Sequence, residues 1–236
     1  TEIYTLSLHD ALPISEIPLL IINVMRGGPS TGLPTKVEQS DLLAACFGGH
    51  GDAPRVVCAP TSVRECFEMV IHAINISREF SVPVILLSDA ALSTRIETFN
   101  RPDIDAILQN LDPNFTAIPT HAPYNVENFC CHHVPPGTVI LDERYPVVTG
   151  LEHDETGQPN GTMKNHIAMC RKREDKLLRV QSELSPVAAY GGDEGDVLII
   201  SWGSCRGAVE DAVDIACAAG PKVSSVYNRF FRPNEL

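Results

Sequence analysis

Three short runs of branched apolar residues constrain the fold of this chain most strongly. They are LLIINV at 19–24, RVVCA at 55–59 and VPVILL at 82–87. Apolar runs of this length without polar alternation are typical of strands buried on both faces of a parallel sheet. Because they alternate with helical patterns across short turns, they predict an α/β fold with right-handed crossovers.

A second strand–helix–strand unit is predicted near the end of the chain. The run VLIISW at 197–202 reads as a strand, a helix follows near 207–219, and 223–231 reads as another strand. The spacing again favours α/β architecture.

Two helices between these strands are predicted to have different environments. After a capping box at Ser62 and Glu65, apolar residues recur at helical spacing and predict one buried face, formed by Val63, Cys66, Phe67, Val70, Ile71 and Ile74. Residues 163–184 are rich in charge, with an unbroken charged run at 171–176. Such a run is typical of a solvated connecting helix.

The chain divides into four segments. Residues 1–15 contain TLSLHDALPIS, which resembles translated sequencing-adapter DNA, so this segment is expected to be non-native. Residues 16–161 should form the main α/β domain, with a proline-interrupted irregular stretch from about Asn100. Residues 162–193 are expected to be a connecting helix and linker, and 194–236 the start of a second, truncated α/β domain. The abrupt first and last strands favour an internal fragment of a longer protein.

Composition excludes several classes of partner. Eighteen basic residues against 30 acidic ones give a net charge of −12, which argues against binding to nucleic acid or to an anionic membrane surface. No apolar run approaches the about 20 residues of a membrane span. Eight cysteines without a C-x-x-C pair, and no secretory signal, predict reduced thiols in a cytoplasmic protein.

The glycine-rich segment 23–35 is the strongest candidate binding site. It follows a strand directly, at the edge where open α/β sheets bind ligands. Its loop-forming residues are Gly27, Gly28, Pro29 and Gly32, and its binding groups are the Arg26 guanidinium and the hydroxyls of Ser30, Thr31 and Thr35. A planar guanidinium with hydroxyls and close backbone predicts an anion site, most naturally for a small carboxylate. A purely structural glycine turn is the alternative.

Two named phosphate-binding motifs do not fit this segment. Leu33 stands where a P-loop needs lysine, and Pro29 and Pro34 interrupt a dinucleotide-binding pattern. Glu38 and Asp41 are candidate acid–base groups or helix-start carboxylates.

Other residues give weaker signals. His50, in the loop Gly48–Asp52, is a further candidate for binding, with a turn histidine as the alternative. The run Cys130–His133 contains zinc-type ligands, but four consecutive residues cannot all face one tetrahedral ion, so no metal site is predicted. Cys205 follows a strand end without a neighbour that would activate its thiol.

Several separate stretches resemble one family in order and spacing. They are RGGPSTGLPT at 26–35, EQSDLL at 38–43, GGHGDAP at 48–54, APT at 59–61, PVILLSD at 83–89, GLEHD at 150–154 and SWGS at 201–204. Together they resemble the alpha subunit of 2-oxoacid:ferredoxin oxidoreductases, the 2-oxoglutarate and pyruvate ferredoxin oxidoreductase family. The resemblance extends over about residues 16–236.

This resemblance implies a pyrimidine-type thiamine-diphosphate-binding domain followed by the start of a transketolase-C-terminal-like domain. It implies oxidative decarboxylation of a 2-oxoacid with coenzyme A as co-substrate, giving an acyl-CoA and CO2, with electrons passed to ferredoxin. Arg26 and Thr35 would face the substrate carboxylate. A partner beta subunit would carry most of the contacts to thiamine diphosphate and Mg2+, together with the iron–sulfur cluster.

The chain departs from the family in ways that bear on activity. The family's Tyr-Pro-Ile-Thr-Pro motif and its cofactor-activating glutamate would precede Glu16 and are absent, and Met25 replaces a usual glutamine. No catalytic residue is therefore assigned, and the chain alone is expected to be inactive. The acid used stays open, with 2-oxoglutarate or a broad 2-oxoacid range favoured. A non-catalytic assembly module and an unrelated anion-binding α/β protein are the alternatives.

Overall fold

A computed structural model describes residues 11–110, 122–127, 131, 137, 139 and 145–234. Most of the segment expected to be non-native, residues 1–10, lies outside these residues. So do Cys130, His132 and His133 of the Cys–Cys–His–His run.

Regular elements alternate along the chain as predicted. The strands are β1 (Leu19–Met25), β2 (Val56–Cys58), β3 (Pro83–Asp89), β4 (Val197–Ser201), β5 (Val223–Tyr227) and β6 (Phe230–Arg232). The helices are α1 (Leu42–Phe47), α2 (Val63–Phe80), α3 (Ala90–Thr94), α4 (Ile104–Asn110), α5 (Met163–Glu183) and α6 (Arg206–Ala218). A short 3-10 turn, Gly203–Cys205, precedes α6.

The first sheet has the order β1-β3-β2-β6. β1 and β2 both pair with β3 in parallel, and every residue of β3 is buried. The predicted α/β fold with a parallel sheet is confirmed. Met25 lies opposite Asp89, so the glycine-rich segment after β1 and the turn after β3 meet at one edge.

The second sheet is the parallel pair β4 and β5. The predicted single strand at 223–231 is instead two strands, because Asn228 and Arg229 carry the chain from one sheet to the other. Asn228 N–H donates to Ser201 O at 2.9 Å, and Arg229 O accepts from Ala59 N–H at 2.8 Å. β6 then pairs antiparallel with β2 of the first sheet, so the late segment contributes to both sheets.

Apolar layers cover both faces of the first sheet. On one face, α2 and α5 bury Met69, Phe80, Leu177 and Val180 against β2 and β3. On the other face, α1 and Trp202 pack near Val57, Ile85 and Leu87. Of the described helices, none joins enough length to enough apolar character to cross a membrane.

The buried face of α2 differs from the predicted one. Met69, Ala73, Ile76 and Phe80 are buried, whereas the predicted residues are only partly covered and Phe67 is exposed. The predicted and the observed residues both recur at helical spacing, so either set could form the buried face. The angle at which α2 packs against β2 and β3 decides which set is buried.

The predicted capping box at the start of α2 forms in a shifted version. Ser62 Oγ accepts from Glu65 N–H at 3.1 Å, as expected. The Glu65 carboxylate, however, accepts from the backbone N–H and hydroxyl of Thr61, at 2.6 and 2.5 Å. Ser62 is thus the N-cap as predicted, but the Glu65 carboxylate bonds to the residue before the cap instead of to the cap itself.

The prediction that the charged run of α5 is solvated is wrong. Lys172, Arg173 and Lys176 are at most 3% exposed. Lys172 Nζ lies 2.8 Å from both carboxylate oxygens of Glu16, and Lys176 Nζ lies 2.5 Å from Oε2 of the same group. Residues four apart on a helix share a face, so both ammonium groups reach the one carboxylate, which is 1% exposed.

The two lysines determine the ionisation of Glu16. Burial alone would raise the pKa of this carboxyl, but the charges and hydrogen bonds of Lys176 and Lys172 outweigh it and hold the pKa below its usual range. Only Ile17 and Pro18 separate Glu16 from β1. The neighbouring Ser15 donates through Oγ to Thr149 O at 2.8 Å. Buried ion pairs thus connect the segment before the edge strand to α5.

We predict that Glu16→Gln lowers the free energy of unfolding by about 3–5 kcal/mol, the usual cost of removing one partner from a buried ion pair. Urea denaturation at neutral pH measures this loss. The matched control is Glu68→Gln, which removes the exposed pair with Arg64 and should cost less than about 1 kcal/mol. Equal effects of the two substitutions would contradict the structural role of the buried cluster.

Candidate functional site

The glycine-rich segment after β1 is a closed loop held by its own backbone. Gly27 N–H donates to Lys36 O, and Leu33 N–H donates to Gly27 O, each at 2.9 Å. Gly32 N–H donates to Pro29 O at 3.0 Å, and the Gly28–Pro29 peptide bond is cis. The segment therefore has a defined shape that presents its side chains outward.

Glycine is required at position 32 by close backbone approach. A Cβ there would lie 2.9 Å from Pro29 O and 3.0 Å from Gly28 O. Both atoms are backbone, so they could not move aside without opening the loop. The sequence predicts that glycine lets the loop backbone come close to a ligand. At position 32, glycine is needed because the loop backbone packs closely against itself.

The two carboxylates that follow the loop have structural partners. Glu38 Oε2 accepts from Gly28 N–H at 3.1 Å. Asp41 accepts from Asn23 Nδ2 at 2.9 Å and from the Ser40 hydroxyl at 3.2 Å. The acid–base role considered for Glu38 and Asp41 gains no geometric support, because these bonds tie both groups to the loop's own framework.

A cleft of about 330 Å³ opens beside the loop. Arg26, Gly28, Pro29 and Ser30 line it. Arg26 and Ser30 are exposed, and within the described part of the chain their side chains make no hydrogen bond or ion pair. A guanidinium without a carboxylate partner, next to a hydroxyl and a tight backbone turn, suits an incoming anion.

The structure does not bring all the predicted site residues together. Thr31 and Thr35 are exposed on the loop but do not line this cleft. His50 lines a different cleft, together with Gly51, Asp52 and residues of α5. Arg26 and Ser30 are therefore the part of the predicted site that the geometry assembles.

Sequence reasoning missed a node centred on Asp89, at the end of β3. Its Oδ1 accepts from the backbone N–H groups of Ala91 and Leu92, both at 3.0 Å, which caps α3. Its Oδ2 accepts from Ser204 N–H at 3.1 Å and from Gln39 Nε2 at 3.3 Å. One carboxylate thus joins β3, the segment after the glycine loop and the turn of the second unit.

The surroundings of the node keep Asp89 ionised. Burial would raise the pKa of this carboxyl, but its hydrogen bonds with Ser204, Leu92 and Gln39 hold the pKa below its ordinary value. Gly203 has φ +63°, and a Cβ on it would lie 3.2 Å from Asp89 Oδ2. The capping of α3 could have been predicted from the sequence, because Asp is a preferred residue directly before a helix. The bonds from Asp89 to Ser204 and Gln39 join distant parts of the chain, so no local pattern indicates them.

Comparison with known proteins identifies the family. The family described as "Pyruvate flavodoxin/ferredoxin oxidoreductase, thiamine diP-bdg" matches residues 11–172. The chain belongs to this family. The resemblance drawn from the sequence motifs is therefore confirmed.

Individual relatives of the ferredoxin oxidoreductase family agree with this. The chain is 36% identical to the 2-oxoglutarate oxidoreductase subunit KorA of Mycobacterium tuberculosis, over 93% of this chain and 34% of that protein. It is 33% identical to the 2-oxoglutarate synthase subunit KorA of Methanothermobacter marburgensis, over 90% of this chain and 56% of that protein. The chain thus spans between about a third and just over half of these relatives.

A solved structure matches the fold. It is a 2-oxoglutarate:ferredoxin oxidoreductase from Magnetococcus marinus with 2-oxoglutarate, coenzyme A and succinyl-CoA bound. The TM-score is 0.86 at 36% sequence identity, over 98% of this chain and 40% of that one. The α/β arrangement described above is therefore that of a ferredoxin oxidoreductase.

The described residues do not fit the magnesium and diphosphate end of thiamine diphosphate. In the acidic turn 191–196, Asp196 Oδ2 accepts from Lys222 N–H at 3.1 Å, and Gly191 packs against Val223 O. This turn closes the second sheet. At the glycine loop, Glu38 and Asp41 are committed to the loop itself, so no oxygen cage for Mg2+ is present among the described residues there.

We predict that Asp89→Asn destabilises the chain by about 1–3 kcal/mol, the cost of a buried polar group left without its partner. Asparagine keeps one oxygen to cap α3 but turns an NH2 group toward two other donors, Ser204 N–H and Gln39 Nε2. Because the pKa of Asp89 is lowered, its contribution is present above the unfolded carboxyl pKa of about 3.9 and is lost as the pH falls through the folded value.

Urea denaturation of both proteins from about pH 7 to about pH 3.5 tests this prediction. The gap in stability between wild type and Asp89→Asn should narrow toward acid pH. Asp211→Asn, at an exposed position on α6, is the matched control and should change little. A gap that stays constant over the whole pH range would show that the carboxylate's charge is not what stabilises the node.

Proposed function

We propose that this chain is part of the alpha subunit of a 2-oxoacid:ferredoxin oxidoreductase and supplies the substrate-carboxylate loop. The reaction is the coenzyme A-dependent oxidative decarboxylation of a 2-oxoacid to an acyl-CoA and CO2, with electrons passed to ferredoxin. The observation that carries the proposal is Arg26, an uncompensated guanidinium in the cleft at the carboxyl end of a parallel strand.

The role of Arg26 follows from charge and position. A carboxylate approaching the cleft meets the planar guanidinium, which can donate two parallel hydrogen bonds. The Ser30 hydroxyl lies on the same rim. Thr31 and Thr35, exposed farther along the loop, are proposed to complete the pocket together with surfaces outside this chain. Asp41 lines the same cleft, but its hydrogen bonds go to Asn23 and Ser40 and leave the donors of Arg26 open to an incoming anion.

The proposed substrate is 2-oxoglutarate, or a range of 2-oxoacids that includes it. The GPSTGLPT form of the loop favours this choice, as do relatives named for 2-oxoglutarate. The similar structure from Magnetococcus marinus holds 2-oxoglutarate and succinyl-CoA. Both are dicarboxylate-derived, which suits a site that selects carboxylates by charge.

A beta subunit and ferredoxin are the proposed partners in the cytoplasm. The beta subunit would hold the Mg2+–diphosphate end of thiamine diphosphate and the iron–sulfur cluster, for which this chain's described residues offer no donor set. When bound, thiamine diphosphate supplies an electron sink for decarboxylation. The contribution of this chain is to bind and orient the carboxylate. We also propose the division of the chain into a main domain at 16–161, a connecting helix and linker at 162–193, and the start of a second domain at 194–236.

The decisive assay uses the corresponding full-length alpha subunit, co-expressed with its beta subunit and loaded with cofactor and cluster. Reduction of a low-potential viologen dye is followed with 2-oxoglutarate, pyruvate and branched-chain 2-oxoacids. Reduction that requires the 2-oxoacid, coenzyme A and thiamine diphosphate together is the expected result. A well-formed, cluster-loaded complex that reduces no dye would favour the assembly-module reading.

We predict that Arg26→Ala in that complex lowers kcat/KM roughly 30- to 3,000-fold, because truncating one partner of a buried charge pair costs about 2–5 kcal/mol. Arg171→Ala, at an exposed position on α5, is the matched control and should leave kcat/KM unchanged. Size-exclusion chromatography separates the two readings. Loss of the complex with intact substrate affinity would assign Arg26 to assembly instead.

A further inference from the structure

A second cluster of chemically capable side chains lies away from the glycine loop. Glu152, His166 and Cys170 place one ligand atom each within 4.8 Å of one another. His166 and Cys170 are four residues apart on α5 and so share one face of the helix, while Glu152 comes from the segment before it. We infer that these three residues form a binding site for a single divalent metal ion of the Zn2+ class.

The distances suit a tetrahedral ion. With Zn–S near 2.3 Å and Zn–N near 2.0 Å, sulfur and nitrogen on one ion lie about 3.6 Å apart. Cys170 Sγ and His166 Nδ1 are separated by 3.6 Å. His166 Nδ1 also lies 2.5 Å from Glu152 Oε2, at hydrogen-bond distance. An ion bound between the two atoms would widen this pair to about 3.3 Å.

Arg173 supports the cluster from its buried side. Its guanidinium is 4% exposed and donates to both oxygens of Glu152, at 3.1 and 3.0 Å. The same group donates to Cys170 Sγ at 3.4 Å. Hydrogen bonds of this kind orient the ligands of metal sites from behind.

The ligands are accessible to an ion. Glu152, His166 and Cys170 line an open cleft of about 510 Å³, and the His166 side chain is 51% exposed. His50 and Asp52 line the same cleft. Three protein ligands with an open fourth position are the arrangement that keeps a water or other small ligand on zinc. Once Cys170 has lost its proton to bind a metal, the charges of thiolate, carboxylate and guanidinium sum to −1, which suits a divalent cation.

The test is a titration of the 236-residue chain with Co2+ and then Zn2+, in buffer with a phosphine reductant. Cobalt reports its own coordination: a thiolate ligand gives a near-ultraviolet charge-transfer band, and tetrahedral geometry gives intense visible bands. We expect one equivalent of Co2+ to produce both signals and Zn2+ to displace it. Affinity should rise with pH, because the thiol must lose its proton to bind.

The exposed His166 and the half-buried Cys170 can be changed without removing either member of the Glu152–Arg173 pair. Cys170→Ser should abolish the charge-transfer band, and His166→Asn should weaken binding by about 100-fold or more, since losing even an outer-shell partner costs roughly 10- to 100-fold. Cys205→Ser, which removes an exposed thiol outside the cluster, is the matched control. Circular dichroism confirms that each variant is folded.

Three outcomes would overturn the inference. The first is a chain that gives no thiolate–cobalt band at any stoichiometry. The second is a band that survives both Cys170→Ser and His166→Asn, and the third is a band lost equally in Cys205→Ser. None of these outcomes bears on the role of Arg26, because the metal cluster and the glycine loop line separate clefts.

Discussion

The structure depends on one buried carboxylate held between two lysines. Glu16 lies just ahead of β1, separated from it by two residues, and Lys172 and Lys176 of the long helix α5 bind it. A buried ion cluster constrains its partners strictly, because a buried charge left without a partner costs several kcal/mol. It therefore fixes where the edge strand starts. Asp89, beside the other end of the same strand, fixes the turns that flank the glycine loop.

The acidic groups near the glycine loop form hydrogen bonds that stabilise the loop and its neighbours. Glu38 bonds to the loop backbone and Asp41 to Asn23, while Asp89 serves α3 and the turn at Ser204. The consequence concerns Arg26. Although the chain has a net charge of −12, no carboxylate among the described residues pairs with the Arg26 guanidinium, so its hydrogen-bond donors stay available to an incoming anion.

Much of the fold was predictable because its signals are local. The apolar runs of β1 and β3 and the glycine loop each carry their information within a few residues. The burial of Lys172 and Lys176 was not predictable, because it depends on Glu16, more than a hundred positions away in the chain. The face of α2 failed for a related reason, since several faces of that helix are apolar and only the sheet selects among them. At the site, Arg26 and Ser30 line one cleft, and their role in binding stays a prediction. The bond from Asp89 to Ser204 could not be predicted, because it depends on chain topology.

The return of β6 to the first sheet has a consequence for folding. Val57 on β2 pairs with Arg232 on β6, so this sheet joins strands from early and late parts of the chain. Closing so large a loop lowers the chain's entropy before the strand pairing contributes any stabilisation. Contacts between such distant parts of a chain slow folding. During synthesis, the edge of β2 that pairs with β6 stays unpaired until residues 230–232 have left the ribosome. The two strand–helix–strand units are therefore expected to complete their folding together rather than in succession.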